Sequence, residues 1–414
     1  MAGTWRHAAG IMALLGGLSA ASIAGAAEPS AWVEFGADGA LSVRAVVASG
    51  VTCPQVASDG SVAAMTPRGA PDQNFPVQVC EAAVPAGTAR LAIGGTALPV
   101  VPKEIRRIAI IGDTGCRIEG RAAQDCHDPA AWPFPAIAKG AAAKHPDLVI
   151  HVGDYYYREN ACPAGNTGCA NSPYGDKWPT WKAEFFDPAA PLLAAAPWVV
   201  IRGNHELCKR GGAGWFHLLD PHAARNDCVD RTEPYRLSLG GLQLLPFDDA
   251  DADDFLAPPA KVKAYAAQFA ALLADVPPHS WLLTHRPVWA QAQGSLGGLT
   301  ANQTMHQAIR GHVPDNLDMV VSGHLHDFLS YTFGPQRPAQ LVVGTGGDTL
   351  LPLGNAPIVG AEIDGMKVQK GIAAARFGYF IMDRNAAGWD GVLYAPDEAV
   401  LGRCTLAGRD ITCQ

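Results

Sequence analysis

The sequence has little charge. Asp, Glu, Lys and Arg make up 17% of its 414 residues, and acidic residues exceed basic ones to give a net charge of −8. The lack of a basic excess argues against a general nucleic-acid binder. The hydrophobic share of 48% excludes an intrinsically disordered chain, which would combine few hydrophobic residues with many charges. The chain is instead rich in turn residues, with 45 glycines and 32 prolines, which is typical of a compact fold with many tight turns.

The N-terminus has the three parts of a secretory signal peptide. Arg6 precedes an unbroken run of small and apolar residues at 8–21, and Ala-Gly-Ala at 24–26 provides a cleavage site. The alternatives are a membrane anchor or a buried helix, but the run is short for a membrane span. We predict a signal peptide at residues 1–27, a periplasmic or secreted protein, and no membrane segment after cleavage, because no later run of 18 apolar residues exists.

Export would allow the ten cysteines to form disulfides. No CxxC pair occurs, which makes metal binding by these cysteines the weaker interpretation. The sequence alone does not fix the connectivity, and pairing of neighbours along the chain is the simplest hypothesis. The pairs would be Cys53/Cys80, Cys116/Cys126, Cys162/Cys169, Cys208/Cys228 and Cys404/Cys413. Three of these would brace the loops that carry the chemistry described below.

The pattern of apolar and polar runs along the chain predicts two domains. Short alternating runs in residues 28–102 predict a small all-β module. From 103 to 400, strand-length apolar runs alternate with helix candidates at 135–144 and 259–273, which predicts a layered α/β domain with buried, largely parallel strands. Residues 401–414 would form a disulfide-tied tail.

Five predicted strands of the α/β region each run into a short polar cluster. The clusters are GDTG at 112–115, GDYYY at 153–157, GNHE at 203–206, THRP at 284–287 and GHLH at 323–326. Ligand sites of α/β sheets lie at the carboxyl ends of strands, so we expect the five clusters to converge. They offer carboxylate, amide, phenol and imidazole groups, which suit Fe, Mn or Zn. These donors are too numerous for one ion and fit two ions that share a carboxylate.

This series of motifs resembles the five-block signature of the calcineurin-like metallophosphoesterases. Many members have a histidine two residues after the first Asp, where this chain has Gly115. The purple acid phosphatases also lack that histidine and have a tyrosine three residues after the second Asp, the position of Tyr157. The resemblance therefore points to the purple acid phosphatases. It implies a four-layer αββα sandwich, here preceded by the small, sandwich-like β module.

The resemblance also implies a role for each matching residue. Asp113, Tyr157 and His326 would bind a first metal ion, expected to be Fe(III). Asn204, His285 and His324 would bind a second, divalent ion of Fe, Zn or Mn, and Asp154 would bridge both. His205 would be catalytic together with Asp154 and would donate a proton to the leaving oxygen. Arg286 is the best further candidate for a contact with the charged substrate.

These roles predict an exported dinuclear metallohydrolase that cleaves phosphate monoesters of small phosphorylated substrates by attack of a metal-bound hydroxide. A phosphodiesterase acting on cyclic nucleotides or phospholipid headgroups is the alternative within the same chemistry. A secreted binding protein with a vestigial metal site is the alternative from another class.

Two further features lie near the motifs. The five aspartates at 248–254 lack the glycine and terminal glutamate of an EF-hand loop, so we expect a solvated loop near the mouth of the site. Adjacency to the motifs suggests that four side chains line the pocket: Tyr155, Tyr156, Arg158 and Arg202.

Overall fold

The structure is a computed structural model that describes residues 1–3, 30–291, 302–351 and 358–414. The predicted signal peptide at 1–27 lies outside the described residues except for its first three. Within the described ranges, no helix combines the length and the apolar character that a membrane span needs.

The larger of two main sheets has eleven strands. At its centre, Leu148–His151 pairs in parallel with Arg107–Ile111 on one side and with Trp198–Val200 on the other. From edge to edge the strands are Asp410–Cys413, Val400–Ala407, Trp389–Tyr394, Tyr379–Arg384, Arg107–Ile111, Leu148–His151, Trp198–Val200, Ser30–Phe35, Leu41–Ala48, Val77–Val84 and Thr66–Pro67. All three central strands are fully buried apart from Arg107, as expected for strands covered on both faces.

The second main sheet has seven strands. In order they are Leu237–Leu239, Leu242–Pro246, Ser280–Leu283, Leu317–Ser322, Ala339–Val343, Phe328–Thr332 and Lys370–Ala374. The strands from Leu242–Pro246 to Ala339–Val343 pair in parallel. Phe328–Thr332 and Lys370–Ala374 pair in the antiparallel sense and form the last edge of this sheet.

The two sheets pack face to face, and helices cover the outer faces. Ile108 and Ile110 of the first sheet share a core with Leu244 and Met319 of the second. On the outside, Ile137 packs in a separate core on the first sheet, and Phe269 in another on the second. The predicted four-layer αββα arrangement is confirmed.

The helices are short. The α-helices are Phe134–Ala143, Trp178–Trp181, Asp187–Leu193, Gly212–Gly214, Pro259–Leu272 and Gln303–Ile309, with π-helical turns at Lys182–Phe186 and Trp215–Leu219 and a 3₁₀ turn at Asn204–Glu206. The two helices predicted from the sequence are confirmed to within one residue at each end. Proline occupies a first-turn position in both, where its missing N–H costs no hydrogen bond.

The N-terminal strands extend the eleven-stranded sheet. Ser30–Phe35 pairs in parallel with Trp198–Val200 through Glu34 and Trp198. A separate four-stranded sheet, formed by Ser61–Ala64, Gln55–Ser58, Leu91–Ile93 and Thr96–Leu98, packs against this extension around a shared apolar core. The remaining strands form two-stranded pairs, Ile118–Glu119 with Ala122–Ala123 and Glu362–Ile363 with Met366–Lys367. The domain boundaries at 102 and 400 stay predictions.

A buried ion cluster ties the N-terminal strands to the rest of the chain. Arg44 Nη1 lies 2.7 Å from Glu34 Oε1 and donates to the carbonyl of Leu218 at 2.9 Å. Arg44 Nη2 donates to the carbonyl of Asp220 at 2.8 Å. Burial raises the pKa of Glu34 to about 7, although Arg44 and the indole of Trp32 act in the opposite direction.

All ten cysteines are paired, and the connectivity is the predicted one. The bonds are Cys53–Cys80, Cys116–Cys126, Cys162–Cys169, Cys208–Cys228 and Cys404–Cys413. Cys404 and Cys413 face each other across the terminal strand pair. Cys116, Cys162 and Cys208 each follow a motif loop by a few residues, so three bonds brace the loops that carry the polar clusters.

Candidate active site

The five polar clusters converge at the carboxyl ends of the central strands, as predicted. Backbone hydrogen bonds join the loops directly: the N–H of Asp113 donates to the carbonyl of Gly153 at 3.0 Å, and the N–H of Gly323 to that of His285 at 2.9 Å. Both sheets therefore contribute to one site, since Asp113 and Gly153 follow strands of the first sheet and His285 and Gly323 follow strands of the second.

The loops turn sharply at the residues that carry the donors. Asp113, Asp154 and His324 all have positive φ, at 56°, 59° and 69°. Gly203 allows the closest approach, because a Cβ built there would lie 2.1 Å from Asp154 Oδ1. A glycine at this position is therefore required for the Asn204 loop to reach Asp154.

One group of donors surrounds the phenol of Tyr157. Its Oη lies 2.8 Å from Asp154 Oδ2, 3.1 Å from Asp113 Oδ1 and 3.0 Å from His326 Nε2. All four residues are buried. Asp113, Asp154 and His326 each offer one ligand atom within 4.8 Å of the others, a spacing that could hold a metal ion.

A second group lies on the other side of Asp154. His285 Nε2 is 3.1 Å from both Asn204 Oδ1 and Asp154 Oδ2. Asp154, His285 and His324 meet the same 4.8 Å spacing as the first group. The structure therefore brings together all seven residues predicted as ligands and makes Asp154 common to both groups.

The chemistry of these groups fits cations. A phenol has one proton to donate, yet Tyr157 Oη contacts two carboxylates and an imidazole nitrogen. Burial lowers the pKa of His285, but Asp154, Asp113 and Asp249 together outweigh burial and raise it to about 10. Burial is likewise outweighed at His326 by Asp348 and Asp113, which raise its pKa to about 9. The carboxylates thus attract positive charge at the two places where the donor atoms gather.

The second ring nitrogen of each histidine in these groups is held by an oxygen. His285 Nδ1 donates to the carbonyl of Val152 at 2.8 Å, and His326 Nδ1 to that of Thr349 at 2.8 Å. His324 Nε2 lies 3.1 Å from Asp254 Oδ2. Such contacts fix the tautomer and the orientation of a metal-binding imidazole.

His205 lies against the first group rather than within it. Its backbone N–H donates to Asp154 Oδ1 at 2.9 Å, and its ring packs on that of Tyr157 with centroids 3.7 Å apart. His205 Nδ1 lies 2.8 Å from Glu159 Oε1, and Nε2 lies 3.9 Å from Asp154 Oδ2. Arg210 pairs with the same Glu159 carboxylate at 2.5 Å.

Three buried carboxylates, whose role the sequence analysis missed, accept hydrogen bonds from backbone N–H groups of the motif loops. Glu206 accepts from the N–H groups of Asp154, Tyr155, Tyr156 and Gly203; Glu184 accepts from those of Cys116, Tyr157 and Arg158; and Asp249 accepts from those of His285 and Arg286. Burial raises the pKa of Glu184 to about 7, of Glu206 to about 8 and of Asp249 to about 7, although the hydrogen bonds from the backbone lower these pKa values. Only Glu206 lay inside a motif; the other two carry no local signal in the sequence.

The expectation of a solvated acidic loop at 248–254 is wrong. Asp249 is fully buried, and Asp248 is buried against Arg202. Asp254 pairs with His324 and Arg286. The loop lies at the site as predicted, but its carboxylates are committed to protein partners.

The suggestion that four neighbouring side chains line the pocket is also wrong. Tyr155 and Tyr156 pack in an aromatic core with Trp181. Arg158 lies over the ring of Trp132, and Arg202 donates to the carbonyl of Glu206 at 2.9 Å. All four are buried because the strand ends face the helical layer as well as the site. Arg286 is buried with its guanidinium on Asp254, and its contact with substrate stays a prediction.

Comparison with known proteins decides the family. The family model of the calcineurin-like phosphoesterases matches residues 106–328, more than half of the chain and all five clusters. The chain belongs to the calcineurin-like phosphoesterase family. No curated protein sequence matches the chain. Membership identifies the protein as a hydrolase of the metallophosphoesterase type.

Two solved structures share the fold. A purple acid phosphatase isolated from yellow lupin (Lupinus luteus) seeds matches with a TM-score of 0.56 and 12% identity, covering 93% of this chain and 74% of that one. The structure of PhoD matches with a TM-score of 0.52 and 12% identity, covering 92% of this chain and 91% of that one. Both matches cover far more of this chain than residues 106–328, which the family model matches. They support the resemblance to purple acid phosphatases at the level of fold.

Proposed function

We propose that the protein is an exported, dinuclear phosphatase that hydrolyses phosphate monoesters. The observation that carries the proposal is the position of Asp154, whose carboxylate belongs to both donor groups. A single carboxylate between two groups of ligands is the arrangement needed for two neighbouring ions. When bound, two such ions activate water and stabilise the charge that develops on a phosphoryl group.

The proposed first ion is Fe(III), held by Asp113, Asp154, Tyr157 and His326. Tyr157 Oη is the atom on which this group centres, and a phenolate is stabilised by a nearby cation. The proposed second ion is divalent Fe, Zn or Mn, held by Asn204, His285, His324 and the shared Asp154. Nitrogen and amide or carboxylate oxygen ligands suit these metals.

His205 is the proposed general acid. Its ring packs on Tyr157 and is oriented by Glu159, so that Nε2 points toward the shared carboxylate. In its protonated form the ring would pass the Nε2 proton to the ester oxygen as the P–O bond breaks, and it would end neutral while the alcohol leaves. Arg210 Nη2 pairs with the same Glu159 carboxylate and lies 2.9 Å from His205 Nδ1, so it also lies against the His205 ring.

A cavity of about 470 Å³ is lined by Asp254 and Arg286, which contact His324, and it offers room for the alcohol part of a small phosphorylated substrate. Leu207 and Lys209, which follow His205, line this cavity together with Phe255 and Arg286. Phe255 is 87% exposed, which is unusual for an aromatic side chain next to a buried polar site. A pocket of this size suits one small-molecule group.

Export is supported by the five disulfides, which persist in oxidising compartments. With the signal peptide predicted at 1–27, they favour a periplasmic or secreted protein. N-terminal sequencing of the protein from its native host tests this. Cleavage after residue 26 or 27 is expected, and an intact N-terminus in the cytoplasm would contradict it.

Metal analysis with a visible spectrum, followed by assays on a monoester and a diester across pH, tests the function. We expect about two ions per chain, a visible charge-transfer band from Tyr157 and Fe(III), and a preference for the monoester. A fully iron-loaded but colourless protein would contradict the role of Tyr157. Preference for the diester would establish a phosphodiesterase, and a metal-replete protein without activity on either would favour a binding protein.

The Asp154→Asn variant is the sharpest single substitution. It should lose both ions together, because the carboxylate belongs to both groups. Loss of one ion alone would contradict the shared role.

A further inference from the structure

We propose that Asp254 is a positioning residue for the second metal ion: its carboxylate holds the His324 ring so that Nδ1, and not Nε2, faces the ion. This inference rests on the proposed dinuclear site. It assigns a function to a residue that lies outside all five motifs.

The three histidines of the two donor groups differ in which ring nitrogen is hydrogen-bonded to another group of the protein. In His285 and His326, Nδ1 is bonded to the backbone carbonyl of Val152 or Thr349, which leaves Nε2 toward the site. In His324 the occupied nitrogen is Nε2, which lies 3.1 Å from Asp254 Oδ2 and 3.1 Å from Arg286 Nη1. Arg286 Nη1 itself donates to the same Asp254 oxygen, so that carboxylate is the acceptor that both groups face. His324 nonetheless belongs to the group with Asp154 and His285, so Nδ1 is the nitrogen available there.

The backbone around His324 explains why the partner of Nε2 is a side chain and not a main-chain carbonyl. His324 has a φ of 69°, and its N–H donates to both oxygens of Asp113, at 3.1 and 3.0 Å. The main chain is thus turned toward the first donor group. The partner of Nε2 comes instead from a distant loop, 70 residues away in sequence.

Asp254 is itself held on both oxygens. Oδ2 accepts from Arg286 Nη1 as well as contacting His324, and Oδ1 accepts from Asn302 Nδ2 at 2.9 Å. Asn302 is the N-cap of the helix Gln303–Ile309, where its side chain accepts from the N–H of Met305 at 2.7 Å. Arg286 follows His285 directly. The carboxylate is therefore anchored to the loop of one proposed ligand while it orients another.

These contacts also explain why Asp254 is not a ligand. Its charge is compensated by the guanidinium, and both oxygens are already occupied. Partners of this kind in metalloproteins change metal affinity by about 10- to 100-fold when they are removed.

The test titrates the mature protein, stripped of metal, with Zn²⁺ in a calorimeter. It compares the wild type with the Asp254→Ala and Asp254→Asn variants. We expect two sites in the wild type. Asp254→Ala should weaken one site by about 10- to 100-fold and leave the other unchanged. Asp254→Asn, whose amide oxygen can still accept from Nε2, should lose less, and it provides the measurement if the alanine variant does not fold.

Two controls separate this effect from loss of charge. Asp230→Asn removes the same charge from the same cavity wall, where Asp230 is exposed, and should leave both affinities unchanged. His324→Ala should abolish the affected site. Wild-type affinity in Asp254→Ala, or an equal loss in Asp230→Asn, would overturn the proposal.

Nitrogen assignment gives a second readout that does not depend on affinity. Long-range ¹H–¹⁵N NMR of the Zn²⁺-loaded protein should show the His324 ring protonated at Nε2 and coordinated at Nδ1, with His285 and His326 the reverse. Coordination through Nε2 in His324 would overturn the inference. Fewer than two Zn²⁺ sites in the wild type would instead contradict the dinuclear function.

Discussion

Replacing Gly115 with alanine would place a methyl group where the ring of Tyr157 lies. A Cβ built on Gly115 would be 2.6 Å from Tyr157 Cδ2, 2.7 Å from Glu184 Oε1 and 3.1 Å from the carbonyl of Tyr155. Gly115 is also the position at which many calcineurin-like enzymes have a histidine. The structure thus gives a steric reason why this chain combines glycine here with Tyr157.

The size of the effect follows from the contact distance. Carbon atoms pack at about 3.5–4.0 Å, so the Tyr157 ring would have to move by about 1 Å. Glu184 cannot easily yield, because it accepts from the N–H groups of Cys116 and Tyr157 at 2.7 and 3.0 Å. Overpacking of this kind costs roughly 1–3 kcal/mol of unfolding free energy. A displacement of about 1 Å in an active site can lower the rate by about 100-fold.

The assay compares Gly115→Ala with the wild type in iron content, visible spectrum, kcat/KM for a monoester and thermal unfolding. Gly69→Ala is the matched control, because a Cβ there meets no atom within 4 Å. We expect the control to match the wild type and Gly115→Ala to lose the band from Tyr157 together with most of the activity. An unchanged spectrum and activity in Gly115→Ala would refute the steric argument.

Three further predictions concern other parts of the molecule. His205→Ala should keep both metal ions and lower the rate by about 100-fold or more, most strongly for esters with poor leaving groups; a loss of metal content would contradict the role of proton donor. Phe255→Ala should raise KM for an aryl phosphate more than for a small alkyl phosphate, and equal changes would argue against the cavity as the leaving-group site. The raised pKa of Glu34, about 7, means that the folded protein binds more protons than the unfolded chain between about pH 4.5 and 7. As pH rises from about 4.5 to 7, the wild type should therefore lose up to roughly 3 kcal/mol of stability relative to Glu34→Gln, measured by denaturant unfolding, and a constant difference across that range would contradict it.

The sequence predicts those parts of the site that follow strands. Each motif stands directly after an apolar run, so the position of Asp113 or His285 at a strand end follows from local pattern and from the rule that such ends meet. The disulfide connectivity could also be predicted from the sequence, because the two cysteines of each pair lie within a short segment.

The parts that the sequence did not reveal depend on long-range contacts. Asp249 and Asp254 stand in a run that looks like an exposed acidic loop, and only the second sheet brings them against His285 and His324. Tyr155 was misjudged for a related reason. It is adjacent to Asp154 in sequence, but its ring packs against Phe185 and His151 in the aromatic core.

The pairing of Ser30–Phe35 with Trp198–Val200 has a consequence for solubility. Without the N-terminal strands, Trp198–Val200 would be the last strand of the large sheet and would present unpaired N–H and carbonyl groups. Such an open edge is a template for pairing with another chain. The same truncation would remove Arg44 from the carbonyls of Leu218 and Asp220. A fragment that begins near residue 103 should therefore aggregate, because the strand that covers this edge would be missing.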